Sequence, residues 1–247
     1  VPPSSDRSAT SFVEVLTLAQ QVGYPLLARP SHVLGGEGMA IIYSEGEMES
    51  YLDTNIIISE DSPLLLDSFL EDAFEYDVDA ICDGESLYIC GILQHIEAAG
   101  IHSGDSAAVF PPYTLSQELE QRIKETTHAI AKALKIKGFM NVQLASIDNE
   151  LYVIEVNPRA SRTIPFLSKM SNIDCIEIAV NVWEGMSLVD QHIVSHRGAL
   201  SMGKSQYGWA IKEAVFSFTR FSHLDPILGP NMKSTGEVVG IGRTFAF

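Results

Sequence analysis

The chain has 247 residues, 46% of them hydrophobic, enough for one large domain or two smaller ones with ample core. Sixteen Lys and Arg against 32 Asp and Glu give a net charge of −16, which repels phosphate backbones and argues against nucleic-acid binding. No apolar run reaches the ~18 residues of a membrane span and no signal-peptide pattern is present, so neither membrane insertion nor secretion is expected.

The opening Val-Pro-Pro-Ser-Ser lacks an initiator Met and reads as the middle of a linker, so the chain is expected to be a fragment of a longer protein. Ser11-Phe-Val-Glu14 is a capping box that opens an amphipathic helix, with Phe12, Val15, Leu18, Ala19 and Val22 on one face and Gly23 as its stop. Tyr24-Pro25 feeds a strand, Leu26 to Arg29, and Ser31 to Gly38 then holds three glycines, a loop whose bare backbone can approach phosphates. An ordinary hairpin connection is the plainer reading of that loop. A strand at Met39 to Tyr43 follows. Ser44-Glu-Gly-Glu47 is a second capping box, and Leu64 to Leu66 a further strand. These pieces form a small α+β unit, residues 1–67.

Glu75, Asp77 and Asp79 alternate with Tyr76, Val78 and Ala80, so this strand carries an acidic face, and for Asp77 and Asp79 a solvated outer face and a functional one are both open. Asp83-Gly84-Glu85 turns the chain into an inner strand, Leu87 to Ile92. Gly100 to Ser106 is a small polar loop with one imidazole, His102. Thr114-x-x-Gln117 reads as the cap of a helix whose Leu119, Ile123, Ile130 and Leu134 recur at helical spacing up to Gly138, a core stripe. Cys82, Cys90 and Cys175 are an odd number on apolar stretches, which points to buried thiols in a reducing, cytoplasmic setting.

The chemistry concentrates between Gln143 and Arg162. Leu151 to Asn157 is β-branched and aromatic and stops at Pro158, so it reads as a strand. Strict alternation puts Val153, Glu155 and Asn157 on one face, and Asn141 and Gln143 alternate likewise on the preceding strand, Phe139 to Ile147. A two-residue loop at Asp148-Asn149 would set Gln143 opposite Ile154. A three-residue loop, Asp148 to Glu150, would set Gln143 opposite Glu155 and Asn141 opposite Asn157, and is the one expected here. A hairpin whose polar face is simply solvated is the plainer reading of Glu-x-Asn; against it, a carboxylate and an amide at the end of a buried strand are costly unless something binds them, and hard oxygen donors with positions left for phosphates suit Mg²⁺. Arg159 and Arg162 follow at once, as cations should where an anionic substrate sits beside a metal.

A further helix, about Asp174 to Glu184, carries Ile176, Val180 and Trp183 and ends at Gly185. Gly198-Ala-Leu-Ser-Met-Gly-Lys-Ser205 satisfies the P-loop pattern in full, but Ser195-His-Arg precedes it where a buried strand is needed and Tyr207-Gly208 interrupts what should be a helix. A mobile surface loop over Val194 to Gly208 is expected, with a P-loop NTPase as the rival enzyme reading. Ala214 to Phe218 and Val238 to Phe245 close the chain as strands.

Gln143, the run Val153-Ile-Glu-Val-Asn-Pro-Arg159 and Arg162 resemble the metal-binding end of an ATP-grasp enzyme. Arg29-Pro-Ser-His-Val-Leu-Gly-Gly36, Asp79-Ala-Ile-Cys-Asp-Gly-Glu85, His95-Ile-Glu-Ala-Ala-Gly-Ile-His-Ser-Gly-Asp-Ser106 and Lys233-Ser-Thr-Gly-Glu-Val-Val-Gly-Ile-Gly-Arg-Thr-Phe245 are similar to successive signatures of the carbamoyl phosphate synthetase large subunit, bacterial type. The likeness runs from about Thr10 to Phe247, and the wording of His95 to Ser106 resembles its second half, which phosphorylates carbamate.

The resemblance implies an α+β ATP-grasp fold, a small lid (1–67) and a larger subdomain (68–247) holding nucleotide between them. It implies ATP, Mg²⁺ or Mn²⁺, and K⁺ as cofactors. Gln143, Glu155 and Asn157 would hold metal, and Gln143 and Glu155 would also face the nucleotide. Arg159 and Arg162 would position carbamate and the transferring phosphoryl group. Arg29, Gly35 and Gly36 would meet the phosphates, Ser68, Leu70 and Glu75 the adenosine, and Gly100, Ile101, His102 and Ser103 the nucleotide. The pattern has Arg after the two glycines where this chain has Glu37. Glu97, Asp105 and Glu213 match the ornithine pocket of bacterial relatives. The implied partners are the rest of the large subunit and a glutaminase small subunit, in pyrimidine and arginine biosynthesis. The isolated chain is expected to bind nucleotide better than it turns it over; a non-catalytic nucleotide-binding module is the other alternative.

Overall fold

The computed structural model describes residues 8–31, 37–54, 56–219 and 226–245. The chain forms two compact units, one of Val1–Asp72, Ala99–Ser106 and Ala214–Gly236, the other of Ala73–Ala98, Ala107–Glu213 and Glu237–Phe247. The first unit is thus assembled from three chain segments, where the sequence reading assigns the single run 1–67.

The first unit contains β1 (Ser8–Ala9), α1 (Phe12–Val22), β2 (Leu26–Pro30), β3 (Ala40–Ile42), α2 (Glu45–Leu52) and β4 (Leu64–Ser68). Its sheet runs β1-β4-β2-β3, with every pairing antiparallel. Both helices start on a serine cap: Ser11 Oγ accepts from the Glu14 amide and Ser44 Oγ from the Glu47 amide. The returning glutamates go one residue further back than a capping box requires, Glu14 taking the Thr10 amide and Glu47 the Tyr43 amide. Val15, Ala19, Met48 and Leu52 bury against Leu26, Ala28, Leu64 and Leu66.

The second unit is built on β5 (Phe74–Cys82), β6 (Leu87–His95), β7 (Ala108–Phe110), α3 (Gln117–Ala133), β8 (Gly138–Ile147), β9 (Glu150–Asn157), α4 (Ile164–Ser171), α5 (Cys175–Trp183) and β10 (Leu200–Met202). With β11 (Trp209–Phe216) and β12 (Ser234–Gly242) these strands make an eight-stranded sheet in the order β12-β11-β7-β6-β5-β8-β9, with β10 beside β6. On one face α3 seals Val78, Ile89, Val142 and Leu144 with Leu119 and Ile123. On the other, α4 and α5 cover Ile81, Leu93, Ala108 and Phe139.

Two helix expectations change, and one helix is added. The cap of α3 is Ser116, whose Oγ accepts from the Leu119 amide, because Thr114 is already held by Gln94 Nε2 at 2.6 Å. α5 buries Cys175, Ile178, Ala179 and Val182, not Ile176, Val180 and Trp183, which are 49%, 42% and 60% exposed. Its sequence is apolar almost all round, so only the packing partner decides which stripe turns inward. α4 was not foreseen, although Pro165 in its first turn is a helix-start signal.

Val194 to Gly208 is not a mobile surface loop. Leu200, Ser201 and Met202 pair in parallel with Leu87, Tyr88 and Ile89, and the Gly203 amide donates to Ile89 O at 2.8 Å. A Cβ at Gly203 would stand 2.6 Å from Cys90 O, so glycine is required by the close approach of two backbones. Nor is it a P-loop: the glycine run contains a strand, and the element after Lys204 is β11, not a helix. Limited proteolysis should therefore spare this segment until the unit itself opens, and first cleavage within residues 198–205 would contradict the pairing.

Candidate active site

The hairpin of β8 and β9 turns through Asp148 and Asn149, with φ of 50° and 65°, and Ile147 pairs with Glu150. The loop therefore has two residues, not the three expected, because Asp-Asn supplies the left-handed pair that a tight hairpin needs. Gln143 nevertheless lies opposite Glu155 and Asn141 opposite Asn157. A bulge restores the register: Leu144 pairs with Val153 and Gln143 with Glu155, leaving Ile154 as the extra residue.

The cause is core packing, since Leu151 and Val156 both pack against the α3-side core and strict alternation would send them to opposite faces. Val153 accordingly shares the face of Leu144, not that of Glu155. β9 is the edge of the sheet and Glu155 is exposed, so the carboxylate does not sit on a buried strand as the sequence suggested.

Register carries the polar rows inward from that edge. Asp77 pairs with Gln143 and Asp79 with Asn141, both on the face of Phe139 and Ile81. The acidic face of β5 is not solvated: Asp77 and Asp79 are 6% and 1% exposed. His95, on β6, sits between two carboxylates, Nε2 3.0 Å from Asp77 and Nδ1 3.2 Å from Glu75. Burial opposes its charge, but the hydrogen bonds to Asp77 and Glu75 outweigh burial and push its pKa up to about 9, so it is an imidazolium at neutral pH. Burial likewise works against the Asp77 carboxylate, yet His95 and the charge of Lys212 hold it below the usual range. Asp79 has no such cation: burial, countered by the Thr163 hydroxyl and reinforced by the Asp77 charge, pushes it up to about 6.

On the other side of His95 the row continues through Ala108 to Lys212, which is 1% exposed and lies 3.9 Å from Glu237. Glu237 also meets Arg162 Nε at 3.4 Å, so a single carboxylate gathers a buried ammonium and a half-exposed guanidinium. Arg159 is exposed and bonds the Ala160 carbonyl. The face thus holds one exposed carboxylate and amide donors at the sheet edge, with a fixed chain of alternating charges behind them.

Gln143, Glu155 and Asn157 are oxygen donors on one face, and the Asn157 amide nitrogen is buried without a partner. Among the described residues no group of three His, Cys, Asp or Glu could hold a metal ion. A set of one carboxylate and two amides fits a hard cation that takes its other ligands from phosphates, and not a dedicated all-protein cage.

In the first unit, Arg29 pairs with Asp67 at 3.0 Å and Ser68 ends β4, with Leu70 just beyond it. Gly35 and Gly36 lie outside the described residues, and Glu37 is exposed. Gly100 has φ +93° and an added Cβ there would stand 2.6 Å from Ile41 and 2.8 Å from Phe69. Ile101 and Ser103 flank His102, whose Nδ1 accepts from the Gly104 amide and whose own amide donates to Gly229 O. Asp105 is occupied by the Lys233 and Ser234 amides, each at 2.8 Å. Glu75 is held by His95 in the second unit, with Gln143, Glu155, Asn157, Arg159 and Arg162.

The reading from sequence missed the roles of His95, Lys212 and Glu237. Lys212 falls between buried Ala210 and Ala214, so alternation places it inward, but the expected strand began at Ala214.

A family model described as carbamoyl-phosphate synthase L chain, ATP binding domain, matches residues 1–191. The chain belongs to this family. It is 50% identical over 242 residues to the carbamoyl phosphate synthase large chain of Pasteurella multocida, covering 98% of this chain and 22% of that protein. It is 45% identical over 253 residues to the carbamoyl phosphate synthase large chain, C-terminal section, of Aquifex aeolicus, covering 99% of this chain and 47% of that protein. The chain therefore spans about a fifth of the length of the one and under half of the other.

Solved structures with the same fold include a biotin carboxylase from Campylobacter jejuni in a β,γ-ATP complex, at TM-score 0.68 and 20% identity over 85% of this chain and 46% of that one. An ADP complex of N5-carboxyaminoimidazole ribonucleotide synthetase gives TM-score 0.67 and 14% identity over 96% and 62%. These are ATP-grasp enzymes, and the α+β architecture of this carbamoyl-phosphate synthase family member is the ATP-grasp fold. No helix among its described residues is long and apolar enough to cross a membrane.

Proposed function

We propose that this chain is the ATP-grasp unit that phosphorylates carbamate, transferring the γ-phosphoryl group of ATP to give carbamoyl phosphate and ADP as part of a longer large chain. The observation that carries this reading is the register that sets Gln143 opposite Glu155 and Asn141 opposite Asn157, next to the Arg159–Arg162 turn, in a chain of this family. The likeness to large-chain sections named C-terminal supports the second, carbamate-using half.

In this reading Gln143, Glu155 and Asn157 would hold Mg²⁺ (or Mn²⁺), which would supply charge neutralisation for the phosphates. Arg162 and Arg159 draw the carbamate oxygen and the γ-phosphoryl group into line, so that one P–O bond forms as the bond to the β-phosphate oxygen breaks. Glu237 and Lys212 fix where the Arg162 guanidinium reaches, and His95, with Lys212, keeps Asp77 ionised. Arg29, Gly35 and Gly36 meet the phosphates, Ser68, Leu70 and Glu75 the adenosine, and Gly100 to Ser103 the nucleotide. The 1–67 segment serves as lid. K⁺ completes the ion set. The partners are the remainder of the large chain and a glutaminase small subunit, in a cytoplasmic ligase serving pyrimidine and arginine biosynthesis. The three cysteines, all buried and free, accord with a reducing compartment.

Calorimetric titration tests the reading. The chain should bind MgADP and carbamoyl phosphate together, and carbamoyl phosphate should bind at least about tenfold more weakly once Arg162 is replaced by Ala. Failure of the unaltered chain to bind carbamoyl phosphate in the presence of MgADP would sink it.

A further inference from the structure

Asp79 is a buried carboxylate that neither the metal donors nor the charge chain uses. It accepts from Asn141 Nδ2 at 3.1 Å on one oxygen and from Ser161 Oγ at 2.7 Å and Thr163 Oγ1 on the other. Ser161 Oγ and Thr163 Oγ1 lie 2.6 Å apart with both hydroxyl protons turned to Asp79, and the Thr163 amide donates to Ser161 Oγ at 3.1 Å.

These two residues flank Arg162. They also lie in the turn that joins Asn157, at the end of β9, to α4, whose start gets no cap from the Thr163 side chain. Between the two anchors, Arg162 reaches Glu237 on β12 with 44% of its side chain exposed. The third partner, Asn141, is directly opposite Asn157. One carboxylate thus ties together β8, the strand that carries Gln143, and the turn that carries both arginines.

Burying a carboxylate is costly, and an apolar residue here would merge with Ile81 and Phe139 at no such cost, so its hydroxyl partners are the reason for its presence. We propose that Asp79 is a positioning residue: it clamps the Pro158–Thr163 turn through Ser161 and Thr163, and so sets the place from which Arg162 engages the anionic substrate. What the arginine binds rests on the reading proposed above; the clamp does not.

The test is the double variant Ser161→Ala with Thr163→Val, which removes the clamp without touching the carboxylate, beside Asp79→Asn. Amide exchange across residues 159–163 should rise at least about tenfold relative to amides of β5 and β8 in the double variant. Carbamoyl phosphate affinity should fall by about ten- to a hundredfold while MgADP affinity stays within about twofold, since a shift of about 1 Å in the turn displaces the guanidinium but no nucleotide contact. Asp79→Asn keeps one acceptor oxygen and should lie between wild type and the double variant in both readouts. In an Arg162→Ala background the double variant should have no further effect on carbamoyl phosphate.

Unchanged exchange in the turn would overturn the clamp, and so would an equal loss of affinity with and without Arg162. If the unaltered chain does not bind carbamoyl phosphate, the proposed reaction falls, and the exchange data alone decide whether Asp79 holds the turn.

Discussion

Glu155→Ala should bind MgATP at least about 100-fold more weakly than the unaltered chain, while Lys204→Ala should bind it within about twofold. Glu155 is the only carboxylate of the three donors paired across β8 and β9, so its removal leaves two neutral amides to hold a divalent cation and the phosphates it carries. The substitution is cleanly read. Glu155 is exposed on an edge strand, and replacing it should change stability by no more than about 0.5 kcal/mol, so lost binding would not reflect lost fold. Lys204 is the control because it stands where the P-loop pattern puts its phosphate lysine, yet follows a strand and precedes no helix. Calorimetry on both variants decides between the two. Binding that survives Glu155→Ala and vanishes in Lys204→Ala would overturn the metal assignment and return the phosphates to the glycine run.

Which parts of this molecule are legible in its sequence depends on how local their causes are. Ser11 and Ser44 were readable as caps because a serine followed by a glutamate three residues on satisfies amides in its own first turn. The stripe of α5 was not, since Cys-Ile-Glu-Ile-Ala-Val-Asn-Val-Trp offers apolar residues to every direction and only α4 and the sheet choose among them. The β8–β9 pairing shows both cases in one hairpin. The residues that meet were foreseen, Gln143 with Glu155, but through a loop one residue too long. The chain reaches the same register with a tighter turn and a bulge at Ile154, a device set by where Leu151 and Val156 must bury, which alternation alone does not contain. β10 escaped notice because three residues carry too little periodicity to signal a strand, and its parallel partner is more than a hundred residues away in sequence. The charge chain of Asp77, His95, Lys212 and Glu237 is legible as single residues only. Each lies on a different strand from the next, and their meeting is a property of sheet order.

His95→Leu should destabilise the chain by about 3–5 kcal/mol at pH 7, because it leaves Asp77 buried with its main cation gone. The pH dependence of the unaltered chain identifies the cause. The folded-state pKa of His95, about 9, lies above its ordinary 6.5, so the imidazolium's contribution is fully present below pH 6.5 and is lost as pH rises through 9. At about 1.4 kcal/mol per pH unit, the interval from 6.5 to about 9 amounts to on the order of 3 kcal/mol. Asp79 acts in the same direction at lower pH: its raised pKa means that stability declines between the ordinary 3.8 and about 6 as the buried carboxyl is forced to ionise. Asp77 runs the other way, its contribution being present above 3.8 and lost as pH falls through its lowered folded-state value. Urea unfolding at pH 6, 7.5 and 9.5 should therefore show a falling midpoint in the unaltered chain, and in His95→Leu a lower midpoint that changes little over the same range. A wild-type midpoint that held steady up to pH 9.5 would mean that the imidazole is neutral in the fold and that Lys212 alone keeps Asp77 ionised.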